Sequence, residues 1–178
     1  MSNRKTSKDG KEVTFLLDGM LGSLTRKLRI LGFDTLYDPK SEDVQLLQAA
    51  KDTDRYLVTS DIALFIIARR ANVDSILITS RSEKGRLFEI LSKIGESRID
   101  SSKPPRCSVC DGKLEVSGSD RYGRSLYKCL ECGKEYWKGT HWKKLDSLFR
   151  EVDVMLRERK KVIQVERRGK NRRNVRFV

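Results

Sequence analysis

Long apolar runs, a signal sequence and histidine clusters are all missing from this 178-residue chain. No apolar stretch approaches the roughly 18 residues that a membrane-spanning helix requires. The first twelve residues are polar, and no signal-peptide-like stretch follows them. Tandem repeats are absent, and histidine occurs once, at His141. These absences argue against a membrane or secreted protein, and we expect a cytoplasmic protein whose thiols stay reduced.

Cysteine is scarce too, but its placement is informative. The only four cysteines form two Cys-x-x-Cys pairs separated by eighteen residues: Cys107 with Cys110, and Cys129 with Cys132. Four thiolates at this spacing suit one tetrahedral zinc ion, and a site filled by four protein ligands is structural. We therefore predict a structural zinc ion. A lone histidine beside four thiolates is more often a neighbour of such a site than a ligand.

Positive charge is concentrated in the second half of the chain. The net charge is +13, of which residues 1–100 carry +2 and residues 101–178 carry +11. The last 22 residues contain ten basic side chains against two acidic ones. Such a field attracts polyphosphates, which favours nucleic acid as a partner. A merely solvated basic tail is the simpler alternative, and an anionic membrane surface is the weaker one because the tail has no clear apolar face.

Apolar runs alternate with helix-like stretches through the first hundred residues. Strands are expected at residues 13–17, 33–37, 55–60 and 73–80, and helices at 19–32, 42–51, 62–71 and 83–95. This alternation predicts an α/β fold with a parallel sheet flanked by helices. Ser41 has the residue type of an N-cap for the second helix, which would bury Val44, Leu47 and Ala50. The third helix, apolar on most faces, is expected to be well buried.

A change of composition near residue 100 divides the chain. We expect an N-terminal tail at 1–12, an α/β domain at 13–100, a zinc module at 101–142, and an amphipathic helix with a basic tail at 143–178. Pro104 and Pro105 mark the linker that precedes the zinc module. The helix is free to pack on either module. The closing segment is either a β-ribbon turning at Gly169 or disordered until RNA binds.

Acidic residues follow the predicted strands. Asp18 comes after FLL, Asp61 after LVTS, and Asp43 at the start of the second helix. In an open parallel sheet, ligands bind beyond the carboxyl ends of the strands. Three carboxylates there suit Mg²⁺ or Mn²⁺, which supports hydrolysis of phosphodiesters. The alternative is that Asp43 and Asp61 only stabilise helix starts, and Glu42 competes with Asp43 as a ligand.

Several basic and aromatic residues are candidate substrate contacts. Arg81 holds the place in LITSR that Asp61 holds in LVTSD, where it can meet a phosphate. In the zinc module, Tyr122 and Arg124 belong to an interleaved set of aromatic and basic side chains of the kind that stacks on unpaired bases. Trp137 is assigned instead to the small core of the module.

Three segments, in order, resemble the Mut-seven C-terminal RNase family, a PIN-like domain with a zinc ribbon. They are FLLDGMLGSLTRKLRILGFDTLYD, EDVQLLQAAKDTDRYLVTSDIAL, and RCSVCDGKL with KCLECGKEYWKGTHW. The resemblance spans roughly residues 13–143 and leaves the basic tail outside.

That resemblance implies a PIN fold in which Asp18, Asp43 and Asp61 bind the metal. It also implies Arg26 and Arg29 as contacts for substrate or for the acidic cluster, and products with a 3′-hydroxyl and a 5′-phosphate. Ser60 departs from the arginine expected in the family.

The sequence therefore predicts a PIN-like parallel sheet with flanking helices, followed by a zinc ribbon and a basic C-terminal helix and tail. The predicted activity is that of an RNA-cleaving, Mg²⁺- or Mn²⁺-dependent endonuclease. The same architecture occurs in an endonuclease that trims small-subunit ribosomal RNA, which by analogy adds ribosomal RNA or the ribosome as a partner. A non-catalytic RNA- or ribosome-binding protein is the main alternative. A toxin-like partner of a small inhibitor is less favoured, because simple toxins of this fold lack a zinc ribbon.

Overall fold

Strands and helices alternate through the first half of the chain, as the apolar pattern predicts. The computed structural model describes residues 12–96, 98–100, 102–137 and 139–174, and for residues 140, 141 and 167–174 it describes the backbone only. The elements of this half are β1 (Phe15–Leu17), a 3-10 turn (Gly19–Leu21), α1 (Gly22–Ile30), β2 (Thr35–Tyr37), α2 (Asp43–Thr53), β3 (Tyr56–Thr59), α3 (Ile62–Arg70), β4 (Ser75–Leu77) and α4 (Glu83–Lys93).

The four strands form one parallel sheet in the order β2-β1-β3-β4. Leu16 in β1 is in register with Leu36 on one side and Leu57 on the other. Parallel strands require crossover connections, and a helix follows every strand of this sheet. The predicted α/β fold with flanking helices is confirmed.

Side chains of β1 point alternately into two apolar cores, one on each face of the sheet. Phe15 and Leu17 pack with residues of α1 and α4, whereas Leu16 packs with residues of α2 and α3. All three are at most 4% exposed. Burying each such side chain contributes about 1.5–3 kcal/mol, so the two cores hold β1 and its carboxyl end rigidly.

The start of α2 differs from the sequence prediction. Glu42, not Ser41, is the N-cap, and it forms a reciprocal capping box with Gln45. Ser41 donates its hydroxyl to Asp38 instead. Val44 is 75% exposed, while Leu46 and Ala50 face the core. The expected register was wrong for Val44 because the helix begins two residues after Ser41.

Burial of α3 was overestimated. Only Leu64 and Ala68 are buried in this helix, whereas Ile62, Ile66 and Ile67 are 44–63% exposed. Strands of three or four residues offer a narrow surface, so a helix packed on them buries only one stripe of side chains. The apolar outer face of α3 could not be distinguished from a core face by composition alone.

The cysteine module, residues 102–137, contains a separate antiparallel sheet. It consists of β5 (Leu114–Ser119), β6 (Ser125–Cys129) and β7 (Glu135–Trp137), in the order β5-β6-β7. A register shift between Val116 and Gly118 interrupts the first pair. Within the module only Cys107, Asp111 and Cys129 are buried. So few buried side chains make a weak apolar core, and the module depends on other interactions.

Helix α5 (Thr140–Asn174) continues from the cysteine module and returns to the parallel sheet. Val152 and Leu156 are fully buried beside α4, which decides between the two packing partners left open by the sequence. The amide of Ile99 donates to the Asp153 carboxylate at 2.7 Å. The backbone is helical through Gly169, which rules out the β-ribbon, one of the two alternatives that the sequence left open for the closing segment. In the described part of the chain, no helix has the length and apolar character needed to cross a membrane.

Candidate active site and cysteine cluster

Asp18 lies at the carboxyl end of the central strand β1 and is 8% exposed. Its Oδ1 accepts a hydrogen bond from the Met20 amide at 2.8 Å, which caps the 3-10 turn. Its Oδ2 accepts from the Thr59 hydroxyl at 2.6 Å. Both oxygens are therefore held in defined orientations at the edge of the sheet.

Asp61 lies at the same edge, two residues after β3. Since β1 and β3 are paired neighbours, their carboxyl ends are adjacent. The amide of Asp61 donates to Thr59 Oγ1 at 2.9 Å, so one threonine hydroxyl bonds to both acidic segments. The Asp61 carboxylate also caps α3, accepting from the Ala63 amide at 2.6 Å. Its side chain remains exposed to solvent.

Asp43 is the first residue of α2 and is exposed. Negative charge is favoured at a helix N-terminus, which accounts for an aspartate here without a metal. Glu42, the competing candidate, uses its side chain in the capping box with Gln45. Of the two neighbouring acids, Asp43 is the one that does not act as the helix cap.

The turn beside Asp18 is held by a tyrosine. Tyr37, at the end of β2, donates its hydroxyl to the Gly19 carbonyl at 2.9 Å. A Cβ on Gly22 would lie 2.6 Å from that hydroxyl oxygen, so a side chain at this position would push the tyrosine away. The backbone from Gly19 to Gly22 therefore packs closely against β2, which keeps Asp18 and the start of α1 together.

None of the three aspartates forms a salt bridge with any residue that the structure describes. Within the described ranges, the donors to the buried Asp18 carboxylate are neutral: the Met20 amide and the Thr59 hydroxyl. Across the described residues, the close group of three or more metal-ligating side chains is the cysteine cluster, and the aspartates do not form a comparably tight one. Metal binding by Asp18, Asp43 and Asp61 remains a prediction.

The four cysteines from the two Cys-x-x-Cys pairs meet at one point. Their Sγ atoms all lie within 4.8 Å of one another, and Cys107 to Cys132 and Cys110 to Cys129 measure 3.6 and 3.4 Å. These spacings are far too long for a disulfide bond. Tetrahedral zinc at 2.3 Å from each sulfur would place the sulfurs ~3.8 Å apart. The cluster therefore has the donor set and nearly the spacing that zinc requires.

The surroundings of the cluster promote ionisation of one thiol. Burial opposes ionisation of Cys107, but the Tyr136 hydroxyl at 3.0 Å and backbone amides outweigh it and lower the pKa to about 6. The Gly112 amide lowers the pKa of Cys110, yet burial and the other three thiols raise it to about 12. Thiolates this close repel one another, and a divalent cation at their centre offsets that repulsion.

A buried ionic network, the β2 junction (Arg29, Thr35, Arg106 and Asp111), joins the cysteine module to the parallel sheet. Arg29 is 5% exposed and donates to the Thr35 carbonyl at 2.7 and 3.0 Å and to the Val109 carbonyl at 2.7 Å. Asp111 contacts Arg106 at 3.0 Å and Arg29 at 3.5 Å, and it accepts from the Thr35 amide at 3.1 Å. The module thereby covers the edge strand β2.

Asp111 in the β2 junction and Asp34 beside it have pKa values that are shifted in opposite directions. Burial raises the pKa of Asp111, although the Arg106 guanidinium and the Thr35 amide act against this shift. Burial also disfavours ionised Asp34, but Arg55, whose Nη1 lies 2.6 Å away, outweighs it and lowers the pKa of Asp34. The folded structure therefore favours ionisation of Asp34 and disfavours that of Asp111.

Most of the predicted substrate contacts are on the surface. Arg26, Arg81, Tyr122 and Arg124 are all exposed. Tyr122 sits at the tip of the β5–β6 hairpin with the Arg124 guanidinium 5.2 Å from its ring, and Arg124 pairs with Asp120. Arg29, by contrast, is buried in the β2 junction and donates to the Thr35 and Val109 carbonyls, so its guanidinium is not accessible to RNA.

Trp137 was wrongly assigned to the core of the module. Its side chain is 57% exposed at the end of the edge strand β7. The side chain of His141 lies outside the described residues, so its expected role as a neighbour of the cysteines stays a prediction.

Two structurally central residues were not predicted from the sequence. Thr59 connects Asp18 to the Asp61 segment through its hydroxyl. The clue in the sequence was its position, two residues before an acidic residue that follows a strand. Asp111, which directly follows Cys110, had no such signal, because its partners Arg29 and Thr35 are more than seventy residues away in the chain.

A protein-family model described as the Mut7-C RNAse domain matches residues 13–149. The match covers more than three quarters of the chain, from β1 through the cysteine module to the start of α5. It confirms the resemblance seen in the three sequence segments and indicates a ribonuclease-type function. No curated protein and no solved structure matches the chain.

Proposed function

This chain belongs to the Mut7-C RNAse domain family, and from that premise we propose that it is a metal-dependent endoribonuclease with a PIN-like fold. RNA is the substrate, with ribosomal RNA as one candidate. The proposed active site is the carboxyl edge of the parallel sheet, with Asp18, Asp43 and Asp61 as ligands for Mg²⁺ or Mn²⁺.

One observation carries this proposal: a buried carboxylate stands at the carboxyl end of the central strand, and no basic residue that the structure describes forms a salt bridge with it. Asp18 is 8% exposed, and the Thr59 hydroxyl that donates to its carboxylate also accepts from the backbone amide of Asp61. Removing an ionised carboxylate from water is costly unless opposite charge or several hydrogen bonds compensate. A divalent cation would supply that charge, and ligands are expected at this edge of such a sheet.

The donor set suits a hard cation, since all three candidate ligands offer carboxylate oxygens. A carboxylate has about four lone-pair sites, so the two hydrogen bonds to Asp18 leave room for a further interaction. Bound Mg²⁺ or Mn²⁺ supplies an activated water and neutralises charge that develops at phosphorus. Thr59 orients Asp18 and the Asp61 segment, and exposed Asp43 and Asp61 leave the site open to a large substrate.

The four cysteines would hold a structural zinc ion, making the module a zinc ribbon. With few buried side chains of its own, the ribbon would gain its stability from the metal and from the β2 junction. Arg26, Arg81, Tyr122 and Arg124 are the proposed RNA contacts, because each is exposed.

The test is cleavage of a circular, fluorescently labelled RNA with Mn²⁺, in the wild-type chain and in Asp18→Asn and Asp61→Asn. A circle has no ends, so its linearisation reports endonuclease activity alone. We expect wild type to open the circle and each variant to be at least about 100-fold slower, a loss of roughly 2.7 kcal/mol of transition-state stabilisation. Asp74→Asn is the matched control, since Asp74 is exposed and precedes β4, at the opposite edge of the sheet.

Equal cleavage rates in wild type and in both site variants would refute the proposed site. Thermal melting of each variant separates a lost metal ligand from a misfolded chain. Mn²⁺ titration by calorimetry should show weakened binding in Asp18→Asn and Asp61→Asn, and unchanged binding in Asp74→Asn.

The charge of +11 on residues 101–178 favours a second candidate, a non-catalytic RNA-binding protein. It predicts salt-sensitive RNA binding that survives both aspartate substitutions, together with no cleavage in Mn²⁺. The circular-RNA assay decides between the two.

A further inference from the structure

A groove of about 1210 Å³ lies between α1, the cysteine module and α5. All three contribute side chains to its lining, among them Arg26, Trp137 and Phe149. Sites for small molecules typically measure about 300–1,000 Å³. The groove exceeds that range, and its walls come from three separate elements, which suits a segment of a polymer.

Aromatic side chains form much of the apolar lining. Tyr127, Trp137, Trp142 and Phe149 all border the groove. Trp137 is the most informative of them, because a tryptophan that is 57% exposed leaves a large apolar surface in water. Aromatic faces of this kind stack on nucleobases of any sequence, but only when the bases are unpaired.

Seven basic and four acidic side chains line the same groove. Three of the acids are neutralised by neighbours, in the pairs Lys27–Glu83, Arg150–Asp146 and Arg157–Asp153. Arg26, Lys103 and Lys144 form no salt bridge with any described residue. Lys103 already has a partner, because its ammonium lies over the Phe33 ring at 4.0 Å. Arg26 and Lys144, without a salt-bridge partner in the described part of the chain, stand beside exposed aromatic rings, and this arrangement binds phosphates and bases of a single strand.

One end of the groove lies at the starts of α1 and α4, where Ser23, Lys27 and Glu83 line it. Helix α1 begins at Gly22, four residues after Asp18, and its first turn carries Ser23. The Ser23 hydroxyl and the Lys27 ammonium bond to Glu83 at 2.9 and 2.7 Å, at the start of α4. Helices that follow parallel strands start at the carboxyl edge of the sheet, so this end of the groove adjoins the edge that holds Asp18.

We propose that this groove binds a single-stranded stretch of RNA, with a base stacked on Trp137 and phosphates bound by Arg26 and Lys144. The bound strand runs from the cysteine module along α1 to the carboxylate edge. The proposal rests on the proposed ribonuclease function for the identity of its ligand. It differs from an RNA contact at the hairpin tip, because Tyr122 does not line the groove.

The test measures anisotropy of a fluorescein-labelled 12-nucleotide oligouridine in the Asp61→Asn chain without added divalent ions. Binding is thus read without cleavage, so a failure of the catalytic proposal leaves this result standing. We expect Trp137→Ala to weaken binding about 5- to 150-fold, and Trp137→Phe to restore most of it. Val116→Ala, exposed in the same sheet but outside the groove, should change affinity less than twofold.

Intrinsic fluorescence gives a direct readout of stacking. The chain has two tryptophans, so Trp142→Phe leaves Trp137 as the only one. We expect oligouridine to quench its emission with the same affinity that anisotropy reports. Unquenched emission at saturating RNA would overturn the stacking proposal even if Trp137→Ala failed to fold.

Charge and strandedness complete the test. Arg26→Ala and Lys144→Ala should each reduce the slope of log Kd against log salt by about 0.7. Lys51→Ala, on α2 across the sheet, should leave that slope unchanged. Double-stranded RNA of equal length should compete at least tenfold more weakly. Equal competition by the duplex or by polyaspartate, or loss of binding in Tyr122→Ala but not in Trp137→Ala, would overturn the groove as the single-strand site.

Discussion

Asp111→Asn should destabilise the whole chain, because Asp111 is the acid that contacts both arginines of the β2 junction. Its carboxylate lies between two guanidinium groups, and its side chain is 9% exposed. The substitution preserves shape, and asparagine tolerates the left-handed backbone found here, with φ of 69°. Only the charge and one acceptor atom change.

The expected loss is about 3 kcal/mol. Removing one partner of a buried ion pair typically costs 3–5 kcal/mol, because the remaining charge is left uncompensated. The lower end applies because Arg106 is partly exposed and because Arg29 keeps its bonds to two carbonyl groups. Burial also raises the pKa of Asp111, so part of the attraction to the arginines only offsets the cost of burying this charge. Against a total stability of roughly 5–15 kcal/mol, such a loss is easily measured. For a chain of this size it corresponds to a fall in Tm of about 6–12 °C.

Urea unfolding followed by circular dichroism at 222 nm measures this loss through the shift in midpoint at constant slope. Asp146→Asn is the matched control, since it removes the same charge from an i,i+4 pair with Arg150 that is 46% and 79% exposed. Such exposed pairs contribute about 0.5 kcal/mol or less. If Asp111→Asn shifted the midpoint no more than Asp146→Asn, the β2 junction would not be a stabilising contact.

Two further predictions concern zinc and pH. The chain, purified without chelators, should contain one zinc ion by elemental analysis. Cys129→Ser should lower both the zinc content and the Tm. A metal-free wild-type chain would contradict the proposed zinc ribbon. The pKa of Asp34 is lowered by Arg55, so their pairing stabilises the fold above the unfolded-state pKa and is lost as pH falls through the folded-state value. When the pH is lowered from about 5 to about 3, the Tm of Asp34→Asn should therefore fall less than the Tm of wild type. An equal fall in the two proteins would refute this.

Elements of the sheet were predictable because their signals are local. Each strand is a short apolar run followed by a polar residue, and each helix repeats its apolar positions along one face. These patterns identified β1 and the segment that places Asp18 at its end. The rule that crossover helices join parallel strands accounts for the parallel pairing but not for the strand order, in which β1 lies between β2 and β3.

Burial was harder to predict than secondary structure. Ile62 and Val44 are apolar yet exposed, and Trp137 lies on the surface although it follows a strand pattern. Local sequence specifies which face of an element is apolar, but not whether another element covers that face. That depends on the lengths of the strands and on the path of α5, which packs on α4 from more than fifty residues away.

By itself, the sequence determined the family, the parallel α/β arrangement, the cysteine quartet and the three candidate acids, since each depends on spacing over a few residues or on residue type. Only the tertiary structure showed that Thr59 bonds to both acidic segments, that Arg29 and Asp111 join the cysteine module to β2, and that α1, the module and α5 enclose a groove. Those features arise from contacts between residues far apart in the chain, and such contacts form only when packing brings whole elements together.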